Sequence, residues 1–331
     1  MRWRIGGALG LAAIVLAGVA AAAPAVGAWR PLVSAPGIVD VVGPRADGRL
    51  VIDSRSGLFL WRPGGAPVPF ARGPQGYPGA GGEPYIALGS GRAVRNADCS
   101  FRRDDVFVLI PGSTPAVLRV DRNGRSHPFA TLPAGTFPSG IASDRVGSFG
   151  YRLLVMTTAS GKATLYAFDC RGRGRSIVAG APVAEGGLAV APHTFGRFSG
   201  ALIGADEASG RVYAYGPGGR TRIVVESGVP AGGDIGVEAV GFVPPGLGRR
   251  STAYLADLGS PGSPTSGSDS LLVLPAAVVR TRLHAGELVV ATEAGAKTLA
   301  VRCRRVCAIR RVADGPATAH AEGHITFLPK R

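Results

Sequence analysis

The stretch from Glu185 to Gly228, EGGLAVAPHTFGRFSGALIGADEASGRVYAYGPGGRTRIVVESG, holds four short apolar runs separated by turn signals. LAVAP is followed by a turn at Gly196 to Gly200, ALIGAD by Ser209-Gly210, and RVYAY by Pro217-Gly218-Gly219 before TRIVVE. Each run has strand length. Tyr, Val and Ile fill the later runs, whereas Ala189 and Ala191 keep the first narrow, as a strand beside a crowded axis requires. The stretch reads as four antiparallel strands.

Neighbouring segments fit the same frame. Leu188 corresponds to Ile86, Ile141 and Val240, spaced roughly 45 to 55 residues apart. The second strand, ending at Asp206, matches runs at 50–54, 106–110, 153–157, 253–257 and 288–292, and the third matches runs at 58–61, 116–120, 164–168, 271–274 and 298–302. No stretch keeps a 3.6-residue apolar period, so helical repeats are excluded. The expected fold is all-β, a six-bladed β-propeller of four-stranded antiparallel blades at about 29–72, 73–132, 133–182, 183–228, 229–284 and 285–331. The tail Glu322 to Phe327 aligns with Glu185 to Val190 as an inner strand. Completing the first blade, it closes the ring and removes exposed edges.

Arg2 and Arg4 precede an apolar run from Ile5 to Ala23, and Val26-Gly27-Ala28 supplies small residues before Trp29. This is the pattern of a secretory signal peptide over 1–28, leaving 29–331 as one propeller domain. An uncleaved membrane anchor is the alternative, because about 20 apolar residues span a bilayer. Removing the segment lowers the net charge from +15 to +13. In a secreted chain an even cysteine count implies pairing. Cys99 and Cys170 fall on the same face of neighbouring blades, and Cys303 and Cys307 bracket one hairpin turn, so Cys99–Cys170 and Cys303–Cys307 are the expected disulfides.

In a four-stranded blade the starts of inner strands and the ends of second strands share one face. That face receives Glu83, Glu185, Glu238, Glu322, Asp206, Glu207, Asp257 and Glu293, with Asp234 nearby. Carboxylate oxygens gathered in this way suit a hard cation such as Ca2+. The candidate ligands are Glu83, Glu185, Asp206, Glu207, Glu238, Asp257 and Glu293; the competing reading makes Asp206 to Gly210 a polar turn and gives the glutamates to backbone amides. The opposite face collects arginines, among them Arg122, Arg125, Arg145, Arg171, Arg173, Arg175, Arg220 and Arg222, which either attract an anionic polymer or only keep the turns solvated. Nucleic acid is disfavoured because no aromatic residues are interleaved with them. The Gly/Ser/Pro-rich connection from Leu258 to Ser270 has the composition of a lid or a neutral insertion. The five histidines show no pairing in sequence, although His324 in the tail strand has a position from which to reach the channel. Nucleophile elbow, phosphate loop and dinucleotide fingerprint are all missing.

With its PxGG turns, its D-x-x-S-G hairpin and its FDxxG-like third-strand exits, the chain resembles the six-bladed propellers of the gluconolactonase/SMP-30-like and NHL groups. The resemblance covers most of the mature chain. It implies a divalent ion at the channel mouth, with Glu83 or Glu185 and Asp206 or Asp257 at comparable strand ends. The asparagines that accompany such an ion have no counterpart at this mouth, and Asn96 falls on the other face.

The function expected from these readings is a secreted or envelope-associated, monomeric propeller that binds a small molecule or envelope component, with a divalent cation at the acidic mouth as a candidate ligand-holding group. A metal-dependent hydrolase of lactones or esters is the alternative. A quinone-dependent sugar dehydrogenase is a minor one, for which a histidine beside a deep apolar slot is the required sign.

Overall fold

The computed structural model describes residues 27–248 and 250–329. Most of the signal segment expected over 1–28 lies outside the described residues. Gly27–Ala28 pairs in parallel with Ala313 and Asp314, and the Trp29 indole is buried, its Nε1 donating to Thr298 Oγ1 at 2.7 Å.

The chain is an all-β propeller whose ladders divide into antiparallel quartets. The first runs Ile38–Val42, Leu50–Ser54, Gly57–Trp61, Val68–Phe70. The second runs Ile86–Leu88, Val106–Ile110, Ala116–Val120, Ser126–Thr131. Phe137–Ser143, Leu153–Ala159, Lys162–Phe168 and Gly174–Ala181 form the third. The stretch first quoted forms the fourth, as Glu185–Val190, Leu202–Asp206, Arg211–Tyr215 and Thr221–Glu226.

Beyond residue 229 the hydrogen bonding departs from the expected boundaries. Val237–Phe242 pairs with Leu288–Thr292, which continues into Thr298–Cys303 and Cys307–Asp314 as the fifth quartet. Thr252–Asp257 and Ser270–Leu274 instead belong to a sixth quartet, whose inner strand is the tail Ala321–Leu328 and whose outer strand is Arg30–Ser34. The last two quartets are therefore interleaved, and blades at 229–284 and 285–331 do not exist as contiguous segments. The tail is an inner strand as expected, but it completes this sixth sheet and not the first. The ring closes where both ends of the chain meet in one sheet. The seven-residue helix Ala276–Arg282, with Val279 buried, carries the chain back between the two sheets.

Apolar layers between adjacent sheets hold the ring. Ile38, Leu50 and Ile52 of the first quartet pack with Ala256 and Leu271 of the sixth, and Trp61 meets Tyr254 edge-on at 5.2 Å. Each such fully buried large side chain contributes about 2 kcal/mol. Near the axis the backbones crowd. A side chain at Gly187 would start 2.2 Å from the Gly323 carbonyl, and Gly186, at φ +73°, abuts Glu238. This explains the EGG sequence at the start of the fourth inner strand.

Both disulfides are present. Cys99–Cys170 joins the second and third quartets, and Cys303–Cys307 clips the outer hairpin of the fifth. They fit an oxidising, extracytoplasmic compartment. Among the described residues no helix is long and apolar enough to cross a membrane.

Candidate metal centre at the acidic mouth

Inner strands run parallel to one another where they touch, as Gly140 beside Gly186 and Val240 beside His324 show. Each is antiparallel to its second strand, so Glu185 lies opposite Ala205, Val237 opposite Thr292, and Glu322 opposite Ala256. Strand polarity thus delivers the acids to one mouth.

At its base sits a buried pair. The Tyr85 hydroxyl lies 2.8 Å from Glu238 Oε1 and 3.0 Å from Glu322 Oε2, and all three residues are almost fully enclosed. One phenolic proton serves one carboxylate, so the second contact requires a carboxyl proton given to the phenol oxygen. Burial, and after it the Glu322 charge, pushes Glu238 well above the usual carboxylate range; burial and then Glu83 do the same for Glu322. One carboxyl of this innermost pair therefore holds a proton.

Next to this pair is His320, buried to 2% exposure, with Nε2 2.8 Å from Glu293 Oε1 and 3.3 Å from Glu322 Oε1. Burial disfavours the imidazolium, but the hydrogen bond and charge of Glu293 outweigh it and raise the His320 pKa. Glu293 Oε2 is buried without a hydrogen-bond partner. Glu207, Asp234 and Glu293 can each present an oxygen with these atoms within 4.8 Å of one another, and Glu293, His320 and Glu322 form a second such trio. Glu207 is braced by the Asp234 backbone N–H, which donates to its Oε2 at 2.8 Å. Burial and then the Glu293 carboxylate push Glu207 up to about 9, while burial followed by Glu83 and Glu293 brings Glu185 to about 7. Burial and Glu293 also raise Glu83.

Glu83, Glu185, Glu207, Glu238 and Glu293 therefore stand in one electrostatic neighbourhood. Asp206 is engaged by its own turn, through the Ala208 N–H and the Ser209 hydroxyl. Asp257 accepts from the His320 N–H at 2.8 Å and from the Ser268 hydroxyl, so it fastens loops around the centre. The Leu258 to Ser270 connection is itself pinned. Gly259 N–H donates to Asp269, Gly267 N–H to the Thr318 carbonyl, and Thr265 sits buried over His320. These contacts lay the connection over the acidic centre.

Sequence reasoning missed His320 and Tyr85. The alternation in His320-x-Glu322, which puts both residues on one side of the entering strand, and the spacing Glu83-x-Tyr85 were the available signals.

His324 does reach the channel, where Nδ1 lies 2.9 Å from Asp40 Oδ2 and Nε2 lies 3.0 and 3.1 Å from the carbonyl oxygens of Leu188 and Ile141. Beyond it, at the opposite mouth, opens a cavity of about 360 Å³ lined by the far ends of all six inner strands. Arg122, Arg125, Arg171, Arg173, Arg175, Arg220 and Arg222 are all exposed. Some are already partnered. Arg173 pairs with Asp169 at 2.9 Å, Arg171 reaches the Asp98 carbonyl, and Arg222 lies 5.0 Å over the Phe198 ring while donating to the Arg197 carbonyl. Asn96 lines a cleft with Arg152 and Arg175, away from the acids.

No family model and no curated protein matches the chain. Among solved structures it is similar to a luciferin-regenerating enzyme, at 11% identity and TM-score 0.46, over 85% of this chain and 78% of that one. It is also similar to a functionally unknown protein from Desulfotomaculum acetoxidans, at 14% identity and TM-score 0.40, over 60% of each chain.

Proposed function

We propose that this is an extracytoplasmic propeller of the gluconolactonase/SMP-30-like or NHL type that binds a small molecule or envelope component through a calcium ion held by Glu207, Asp234 and Glu293. The observation that carries this reading is the orphaned Glu293 Oε2. A buried carboxylate oxygen with only other carboxyl groups around it needs either a shared proton, which the raised Glu207 supplies without the ion, or a cation. An ion between the three carboxylates replaces that proton and removes their mutual repulsion. His320, engaged with Glu293 Oε1, supplies the N–H that leaves Oε2 as the oxygen for the ion. Calcium titration calorimetry on chelator-treated protein tests the reading. Wild type should take up one ion, and Glu293→Gln none; equal uptake by both contradicts the assignment.

One observation favours the hydrolase alternative. Glu185, with its carboxyl brought to about 7, has the proton affinity of a general base at neutral pH beside the ion. Calcium-dependent turnover of lactones or aryl esters that disappears in Glu185→Gln selects this reading; absence of turnover in the calcium-loaded protein leaves binding alone. The quinone dehydrogenase gains nothing from the apolar slot beside His324, because both ring nitrogens already face acceptors and neither is free to take a substrate proton.

A further inference from the structure

The cavity at the mouth opposite the acids has no part in the proposed calcium centre, and most of its lining side chains are apolar. Its walls are Val42, Leu88, Val190, Phe242 and Phe327 from the ends of five inner strands, with proline at the rim. The polar side chains on its surface are already engaged. Ser143 Oγ donates to the Leu88 carbonyl at 2.6 Å, Thr326 Oγ1 to the Val41 carbonyl at 2.6 Å, and His324 closes the floor with both nitrogens turned to Asp40 and two carbonyls. No side chain in the depth of the slot therefore offers an occupant a free polar group.

The exception is Arg145. It lines the cavity, is solvent-facing, and makes no hydrogen bond or ion pair with any described residue. Asp144, its neighbour, is turned away into its own turn, accepting from the backbone N–H groups of Val146, Gly147, Phe149 and Tyr151. That turn fixes the strand exit from which Arg145 projects. Arg103 and Asp104 both lie near enough for their opposite charges to act on it, and they offset one another, so the Arg145 guanidinium is the net positive charge at the rim.

We infer that this cavity is a binding site for an amphipathic anion: a compact apolar body seated in the slot, with one carboxylate at the rim on Arg145. The volume, about 360 Å³, lies at the small end of the roughly 300–1,000 Å³ typical of ligand pockets, which selects a single medium-chain acyl or an aryl acid. A guanidinium with all its donors free recognises a carboxylate bidentately, and the apolar walls make that hydrogen bond stronger than it is in open water. Since His324 blocks the axis, this site and the acidic mouth are separate compartments of one channel.

Decanoate, decanol and decyltrimethylammonium, each below its micellar concentration and with chelator present to keep the cation centre empty, are the probes. By calorimetry, decanoate should bind one to one, about tenfold or more tighter than decanol, and the ammonium should not bind. Arg145→Gln should bring decanoate down to the affinity of decanol while leaving decanol unchanged. Ala142→Phe, which fills the slot, should abolish both. Equal affinity of wild type for acid and alcohol, unchanged decanoate affinity in Arg145→Gln, or no binding of decanoate to wild type overturns the inference. Because Arg145 is a surface residue, its variant keeps the test informative even if the core substitution fails to fold.

Discussion

The His324 ring stands between Asp40 and the far side of the channel, with Nδ1 2.9 Å from Asp40 Oδ2 and the His324 backbone N–H donating to Oδ1 at 2.8 Å. Nε2 faces two carbonyl oxygens of the third and fourth quartets. Acceptors on both nitrogens require both to carry protons, and burial, which lowers the pKa, is outweighed by the Asp40 charge. One imidazolium thus ties together four sheets. His324→Leu leaves Asp40 buried without its counter-charge and should cost roughly 3 kcal/mol or more in denaturant unfolding. Adding Asp40→Asn should recover part of that loss. A single-mutant cost under about 1 kcal/mol would show that the ring does not depend on the pair.

The pH dependence has one sign throughout the axis. The His320 and His324 pKa values are raised in the fold, so their contribution is complete below the unfolded value of about 6.5 and is lost as pH rises through the folded values. Glu185 and Glu207, raised from 4.5 to about 7 and about 9, keep protons that the unfolded chain releases, which also weakens the fold as pH climbs. Without calcium the thermal midpoint should fall steadily from about pH 5 to 9. Saturating calcium should flatten that slope by replacing protons at the mouth. A midpoint that rises across this window contradicts the charge assignment.

The two disulfides should differ in weight. Cys99–Cys170 closes a separation of 71 residues and Cys303–Cys307 one of 4. Chain-entropy arguments give about 4 kcal/mol for the first and about 2 kcal/mol for the second. Paired Cys→Ser variants compared by urea unfolding check the order, and equal losses would count against it.

On the basic face, Arg173 and Arg171 already have protein partners, whereas Arg175 has no such partner among the described residues. Replacing Arg171, Arg173 and Arg175 with Ser should weaken retention on anionic polymer and reduce its salt dependence. Unaltered retention would leave these arginines as a solvated surface.

What the sequence disclosed was what local pattern encodes. Strand-length runs and their turns placed the first four quartets, and strand polarity alone sent Glu83, Glu185, Glu238 and Glu293 to one mouth. Interleaving was hidden because 253–257 and 288–292 carry similar apolar patterns, and nothing local says which inner strand each one meets. The helix at Ala276–Arg282 was too short to show a period. Pairings such as Tyr85 with Glu238 and His324 with Asp40 span 153 and 284 residues, beyond any spacing rule. Asp257 looked like a ligand by position, yet its oxygens hold the loop and strand around His320.

The most direct measurement is an anomalous difference map from a crystal of the mature protein soaked with a calcium-mimicking lanthanide. A dominant peak among Glu207, Asp234 and Glu293, absent in Glu293→Gln, is the predicted result. Well-diffracting, fully soaked crystals with no peak at that mouth would contradict the metal centre and the function built on it.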